Sequence, residues 1–375
     1  MSTKERILVT SAAGHVGSAA VSNLLQRGFA VRAFVRQRDA RAQTLEALGA
    51  DLFVGDLHDY RDLKAAMRGV QRAFHNPPFS ANVLYQATLF AVAAEEAKLD
   101  VVALMGAWNL NPTHPSIHQR GHWIAHHLYR SMPSVDVVHL APGLFAFPYL
   151  LGLPAIAHFG QFMAPFGDGL NAPPSNEDVA AVAAAVLADP ALHIGRSYRP
   201  TGPRLISPHD AADTFARVLG RPVIYKDLPF RAFHKAAIAL GFPTEQVAHM
   251  RYYAAEVRAG VFATSAPTDH VQAVTGKPPE DFETIARRYI ANPDLISPGL
   301  RIGSKWSAMK LLARILMARP FDLQQWEVER GYPLLTEPTL AHESRDWAIA
   351  AGEGRINLLP ESAARRPRVA AQSVA

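Results

Sequence analysis

The stretch "RILVTSAAGHVGSAAVSNLLQRG" (6–28) constrains the fold more than any other part of this chain. A short apolar run reads as a buried strand, and the residues after it carry a helical apolar period closed by Gly28. Only small residues join the two, which is how a strand–helix–strand unit of a parallel sheet begins. In "TSAAGHVGSAA", Gly14 and Gly17 stand where the backbone must approach a phosphate and where helix meets strand, and Ser11 stands at the tight turn. The helix start offers free N–H groups and a positive dipole end to an anion. Ser11, Gly14 and Gly17 are therefore candidate phosphate-binding positions. A tight turn without a ligand is the other reading of the same residues.

The rhythm continues through the first half. Strands are predicted at 6–10, 30–36, 50–57, 70–79, 100–106 and 135–143, with helices between them closed by Gly28, Gly49 and Gly69. Six strands with helical crossovers predict an α/β, doubly wound parallel sheet covered on both faces. Residues 1–150 form this core. "SNEDVAAVAAAVLADP" is a helix capped by Ser175 or Asn176 and stopped at Asp189-Pro190, and residues 175–203 return to the core. Residues 151–290 form an interleaved, smaller, mostly helical lobe, 291–360 a helical extension, and 361–375 a disordered basic tail.

The end of the second strand selects the cofactor. An acidic residue there would accept from a ribose 2′-hydroxyl; this chain has Arg36, with Arg38 close behind. A guanidinium holds a phosphate through paired hydrogen bonds, so the 2′-phosphate of NADP is favoured over NAD. Solvated surface arginines are the alternative. Asp39 could serve a ribose or start the next helix. Asp56 could accept from an adenine amino group or likewise start a helix. Asn76 and Pro77, in "HNPPF", end the fourth strand where a cofactor would cross the sheet.

"ILVTSAAGHVGSAAVSNLLQRGFAVRAFVR", "VGDLHDYRDLKAAMRGVQRAFHNPP" and "TGKPPEDFETIARR" resemble the NmrA-like branch of the atypical short-chain dehydrogenases over residues 5–290. The resemblance implies a Rossmann core with a small C-terminal lobe and a cleft between them. It implies NADP binding through Ser11, Ala13, Gly14, His15, Val16, Gly17, Arg36 and Asp56. Members include NADPH-dependent reductases of quinones, dyes and phenylpropanoids, and others that sense the nucleotide and regulate partners. Short-chain dehydrogenases usually keep a Ser at the end of the fifth strand and a Tyr-x-x-x-Lys on the next helix. Here "LMGAWN" and "GHWIAHHLYR" carry neither, and Ala141 replaces the common Arg of "LRPG".

"THPSIHQRGHWIAHHL" (113–128) is similar to the family segment that holds reactive residues, and puts His122 at the reactive position with His126 or His127 near the usual Glu. Pro115 and Gly121 are read as breaking the helix, leaving His114 and His118 in the preceding loop. A metal site is disfavoured: no cysteine is present, no carboxylate lies within nine residues of His122 or His126, and Trp123 stands where a metalloprotease keeps its Glu. Proton donation to a developing enolate or alkoxide suits an imidazole, with His122 the first candidate and His118 and His126 behind it. Polar lining of a loop and helix is the alternative.

Phe145, Phe147 and Tyr149, with Trp108, lie beyond the carboxyl ends of predicted strands. They are candidate walls for a flat apolar, aromatic or enone-like substrate, or else ordinary core. "SKWSAMKLLARILMARP" (304–320) aligns Trp306, Met309, Ala313 and Leu316 on one basic helix. It is expected to pack as a layer over the cleft or at a homodimer contact, with peripheral membrane contact as an alternative. The chain has 38 Lys and Arg against 33 Asp and Glu, a net charge of +5 too mild to argue for nucleic acid. No secretory h-region or apolar run of spanning length is evident, so a cytoplasmic protein is expected. The expected function is NADPH-dependent reduction of a small apolar substrate, with nucleotide sensing without catalysis as the alternative.

Overall fold

The computed structural model describes residues 5–296 and 300–357; the basic tail expected at 361–375 lies outside them. The first half alternates β1 (Arg6–Val9), α1 (His15–Gln26), β2 (Ala30–Val35), α2 (Ala40–Ala47), β3 (Asp51–Val54), α3 (Tyr60–Ala66), β4 (Arg72–His75), α4 (Val83–Ala97), β5 (Val101–Met105), α5 (Ile117–Arg130) and β6 (Asp136–Leu140). Then follow α6 (Leu153–Phe159), β7 (Gln161–Ala164), α7 (Asn176–Ala188), β8 (Ser197–Tyr198), α8 (Pro208–Leu219) and β9 (Ile224–Asp227). The remainder is helical: α9 (Phe230–Leu240), α10 (Thr244–Arg258), α11 (His270–Thr275), α12 (Phe282–Ala291), α13 (Lys305–Met317), α14 (Leu323–Glu329) and α15 (Arg345–Gly352).

Seven parallel strands run in the order β3-β2-β1-β4-β5-β6-β8. Sequence reasoning counted six; the short β8 adds the seventh beside β6. Chain order reverses between β1 and β4, which opens a crevice at the carboxyl ends of those strands. Alternation along β1 shows why the sheet is two-sided. Ile7 and Val9 enter one apolar layer with α1 and α7, while Leu8 enters the other with residues of α3, α4 and α5. β5 is buried at all five positions because both its faces are covered. Helix α7 carries mostly alanine and valine, and these small side chains let it lie close against α1. Its cap is Ser175, whose Oγ accepts from the Asp178 N–H at 2.9 Å.

A second core gathers Tyr149, Phe162, Phe215, Tyr225 and Phe282 around a two-stranded parallel sheet of β7 and β9. Helix α15 joins that core through Trp347, which meets Trp108 edge-on at 6.2 Å and donates from Nε1 to the Trp108 carbonyl at 3.1 Å. Among the described residues no helix is long and apolar enough to cross a membrane.

One expectation is corrected here. Helix α5 begins at Ile117, so His118 belongs to it, and Gly121 lies within it. A Cβ at Gly121 would sit 2.6 Å from Val83 Cγ1 of α4. This glycine serves close helix–helix packing, which a sequence reads as a helix break. Helix α13 does not turn its Trp306–Met309–Leu316 face inward. It packs on α6 and α9, with Ala308 its buried residue, and leaves that face in solvent.

Candidate active site

The crevice is bordered by the loop between β1 and α1. Ser11 has φ +48°, the left-handed turn for which a glycine is usual, and its carbonyl accepts from the Gly14 N–H at 2.9 Å. Gly14 is the N-cap of α1 and supplies no side-chain cap, so the first N–H groups of the helix remain for another acceptor. At Gly17 a Cβ would stand 2.3 Å from the Ser11 carbonyl oxygen; only glycine lets α1 press this closely on the loop. Val16 and Gly17 are buried, Ala13 is half-buried, and the exposed His15 lies 5.0 Å from the Phe147 ring.

At the end of β2, Arg36 is exposed and makes no hydrogen bond or ion pair among the described residues. Arg38 differs: its guanidinium grips both carboxylate oxygens of Glu46, at 2.7 and 2.5 Å, and is committed to α2. Asp39 caps α2 by accepting from the Arg41 and Ala42 N–H groups, and the Arg41 guanidinium together with the Ala42 bond holds its carboxyl at about 2. Asp56 is exposed and accepts from the backbone and ring of His58, while Asp59 caps α3. The Asn76 N–H donates to Thr10 Oγ1 at 2.8 Å, tying β4 to β1 beside the half-buried Pro77.

His118, His122 and His126 of α5 form a file with His139 of β6, edge to face except for the stacked His126–His139 pair. Ring centroids lie 4.6 Å apart for His118–His122, 6.4 Å for His122–His126 and 4.6 Å for His126–His139. His249 of α10 joins the outer end, 5.1 Å from His118. At the inner end, His126 and His139 share an Nδ1–Nδ1 hydrogen bond of 2.8 Å, so one ring donates and the other accepts. His118 Nδ1 stands 2.9 Å from the Ser80 carbonyl, an acceptor only. Nδ1 therefore carries the proton and Nε2 the lone pair. Desolvation lowers His118 to about 4 and His75 and His139 to about 3, and holds His122, His126 and His249 well below the ordinary imidazole value. At neutral pH the file is uncharged. Among the described residues no three histidine or carboxylate side chains are placed to hold a metal ion.

A cavity of about 10 Å³, room for one water, opens beside His118 and His249 between Phe79, Glu245, Glu327 and Tyr332. Of the three predicted catalytic histidines, His118 lines it; His122 and His126 lie behind. The last two lining residues come from α14 and the turn after it, and the extension is anchored nearby. Arg120 donates to the Pro333 carbonyl, Arg251 pairs with Glu327, and Asn111 donates to the Thr339 carbonyl at 2.8 Å. Buried Glu256 accepts from Asn109 and the Ala341 N–H and lies 3.3 Å from His114, joining α10, the loop after β5 and the extension.

The four predicted pocket residues separate. Trp108 and Tyr149 are buried in the C-terminal core, Trp108 beneath the guanidinium of Arg199 at 3.8 Å, and offer no surface to a ligand. Phe145 and Phe147 remain half-buried, and Phe147 faces the first turn of α1. Sequence reasoning missed His249, Glu245 and Glu327, which sit on helices, and Tyr332 in the turn after α14, with no local pattern to mark them. It also passed over His75 and His139, which stand at or next to the carboxyl ends of β4 and β6, where ligands of such sheets gather.

Sheet order, glycine loop and open helix start define a doubly wound, nucleotide-binding type of domain. The NmrA-like family model matches residues 3–102. The chain is 29% identical over 290 residues to an NAD(P)H azoreductase of Xenophilus azovorans, covering 76% of this chain and 98% of the relative. It is 30% identical over 280 residues to a (4-alkanoyl-5-oxo-2,5-dihydrofuran-3-yl)methyl phosphate reductase of Streptomyces griseus, covering 74% and 95%. The negative transcriptional regulator NmrA, solved in complex with NADP, superposes with a TM-score of 0.63 at 18% identity over 80% of this chain and 99% of its own. The chain belongs to the NmrA-like family of atypical short-chain dehydrogenases. About a quarter of it has no counterpart in the two reductases.

Proposed function

We propose that the protein is an NADP-dependent oxidoreductase that reduces a small apolar, quinone-like or enone-like acceptor. The observation that carries this reading is the pairing of the Gly14–Gly17 cradle with the unengaged Arg36 at the end of β2. The residues fit a dinucleotide: uncapped N–H groups of α1 meet the pyrophosphate, Gly17 keeps the approach open, and Arg36 takes the 2′-phosphate. When bound, the nicotinamide supplies hydride. The names of the two relatives, both reductases and one using NAD(P)H, support the same reading.

The chain's own part is to orient the acceptor against Phe147 and to deliver a proton. His118 is the imidazole at the cavity wall, and its Nε2 takes up a proton from solvent water through that cavity before giving it to the acceptor. Negative charge developing beside the ring favours that uptake, and His122 stands behind it as the next carrier. Substituting His118 by Ala is expected to lower turnover by about a hundredfold with little change in NADPH affinity, and His122→Ala by a smaller factor. Unchanged turnover in both variants would remove the file from the chemistry.

The cofactor assignment is tested by Arg36→Ala. Loss of a charge-assisted phosphate contact should weaken NADPH binding by roughly 10- to 100-fold and leave NADH binding unaltered. Titration calorimetry with both nucleotides measures this, and a preserved preference for NADPH contradicts the assignment.

A second reading, nucleotide sensing without turnover, draws on the small cavity closed by the extension and on the missing Ser, Tyr and Lys. Sustained NADPH consumption with a panel of quinones, enones and aromatic ketones favours the reductase; tight binding with no consumption favours the sensor.

A further inference from the structure

Helix α13 carries an apolar stripe that no other element among the described residues covers. Trp306, Met309, Ala313 and Leu316 follow one another at intervals of three and four residues and so share a face. Trp306 is 63% exposed, Leu316 68% and the adjoining Met317 72%, while the opposite face, through Ala308, rests on α6 and α9. Phe321, exposed just beyond the helix, lies 5.0 Å from His234 of α9 and extends the patch. Scattered exposed apolar residues are ordinary on a soluble protein, but a continuous stripe of large ones is not.

The charges around the stripe identify what covers it. Helices α6, α9 and α13, which pack together, carry Arg231, Lys235, Lys305, Lys310 and Arg314 and not one Asp or Glu. Two of these cations brace the assembly: Lys235 donates to the Leu316 carbonyl at 3.1 Å and Arg314 to that of Ala239. Lys310 leans over the Trp306 ring at 5.5 Å, and Arg231, Lys305 and the later Arg319 are exposed. A second copy docking through this face by two-fold symmetry would bring like charges together. An anionic bilayer surface meets both properties at once, taking the apolar stripe into the acyl boundary and the cations among the headgroups.

We propose that the α6–α9–α13 face docks the protein on an anionic lipid surface, with α13 lying in the plane of the interface. This docking is independent of the reductase reading. Helix α6 begins six residues after Phe147.

The test is co-sedimentation of the full chain with vesicles of phosphatidylcholine alone and of phosphatidylcholine mixed with phosphatidylglycerol. Binding is expected to the mixed vesicles, weakening as salt is raised, and little to phosphatidylcholine alone. The double variant Lys305→Glu/Lys310→Glu should lose binding by at least roughly tenfold, since each headgroup-facing cation contributes about fivefold. Trp306→Ser/Leu316→Ser should lose it comparably, and both pairs are exposed, so the melting temperature should not move. Three results overturn the proposal: no binding of the wild type to mixed vesicles, undiminished binding of both variants, or a wild-type dimer that Trp306→Ser/Leu316→Ser dissolves. NADPH binding, measured alongside, reports on the crevice and stands or falls separately.

Discussion

Acidification from about pH 7 to about pH 4.5 is expected to strip this protein of much of its stability, before most carboxylates begin to titrate. His75, His118, His122, His126, His139 and His249 are held neutral by burial, three of them at about 3 to 4 and the others well below the ordinary value of 6.5. The unfolded chain binds protons at all six as pH falls through 6.5, and the folded chain does not. Stability is therefore fully present above that value and falls as pH drops, by about 1.4 kcal/mol per pH unit for each imidazole that resists protonation. Like charges along the file keep several rings from charging together, and Arg130 and His127 beside His139 and His126 add to the repulsion. Glu177, Asp178 and Glu327, raised by their own burial, act in the opposite sense, but the six deeply buried imidazoles outnumber them. Asp39 and Asp59, both at about 2, contribute only at lower pH. Urea midpoints measured across this range should fall by an amount equivalent to several protons taken up on unfolding. A midpoint independent of pH down to 4.5 would mean that the rings are solvated.

The second large effect concerns one methyl group. Gly106→Ala is expected to destabilise the fold by roughly 3 kcal/mol, at the upper end for overpacking a buried site. Its Cβ would stand 2.0 Å from His126 Nε2 and 2.4 Å from the adjoining ring carbon. The ring cannot retreat: it stacks on His139 and is bonded to it at 2.8 Å. Adding His126→Ala opens that space, so the double variant should be less destabilised than the two single costs predict. Denaturation midpoints of the four proteins measure the coupling, and strict additivity would show that residue 106 and His126 do not meet. Gly106 stands at the end of β5, where the family resemblance leads one to look for a serine; here the space is occupied by an imidazole.

The core was legible from the sequence because its rules are local. The apolar run of β1, the small residues before α1 and the period of the helix after it each act over a few residues, and their repetition predicts a parallel sheet without long-range information. Gly17 was legible for the same reason: strand and helix meet within one short loop. The reading weakened where one residue type serves two purposes. Gly121 reads as a helix break, and only the approach of Val83 from α4 explains it within a helix. Arg36 and Arg38 are equivalent in sequence, and Glu46 alone decides that one is committed and the other is not. Trp108 and Tyr149 read as pocket walls because aromatic residues beyond a strand end suit a ligand and a core equally; packing against Arg199, Phe166 and Phe282 places them in the core.

By itself the sequence determined the sheet, its nucleotide loop, the basic residue at the end of β2 and the family, since each follows from residue types within a short window. Tertiary structure decided which histidines matter and how. Spacing within α5 aligns His118, His122 and His126, but His249 and His139 arrive from other elements, and their burial together turns exposed-looking polar residues into a neutral file of touching rings. The same holds for α13: its periodicity is that of any amphipathic helix, and which face is left to solvent depends on α6 and α9 having covered the other. Burial is a property of what lies across the gap, and a single sequence records only what lies along the chain.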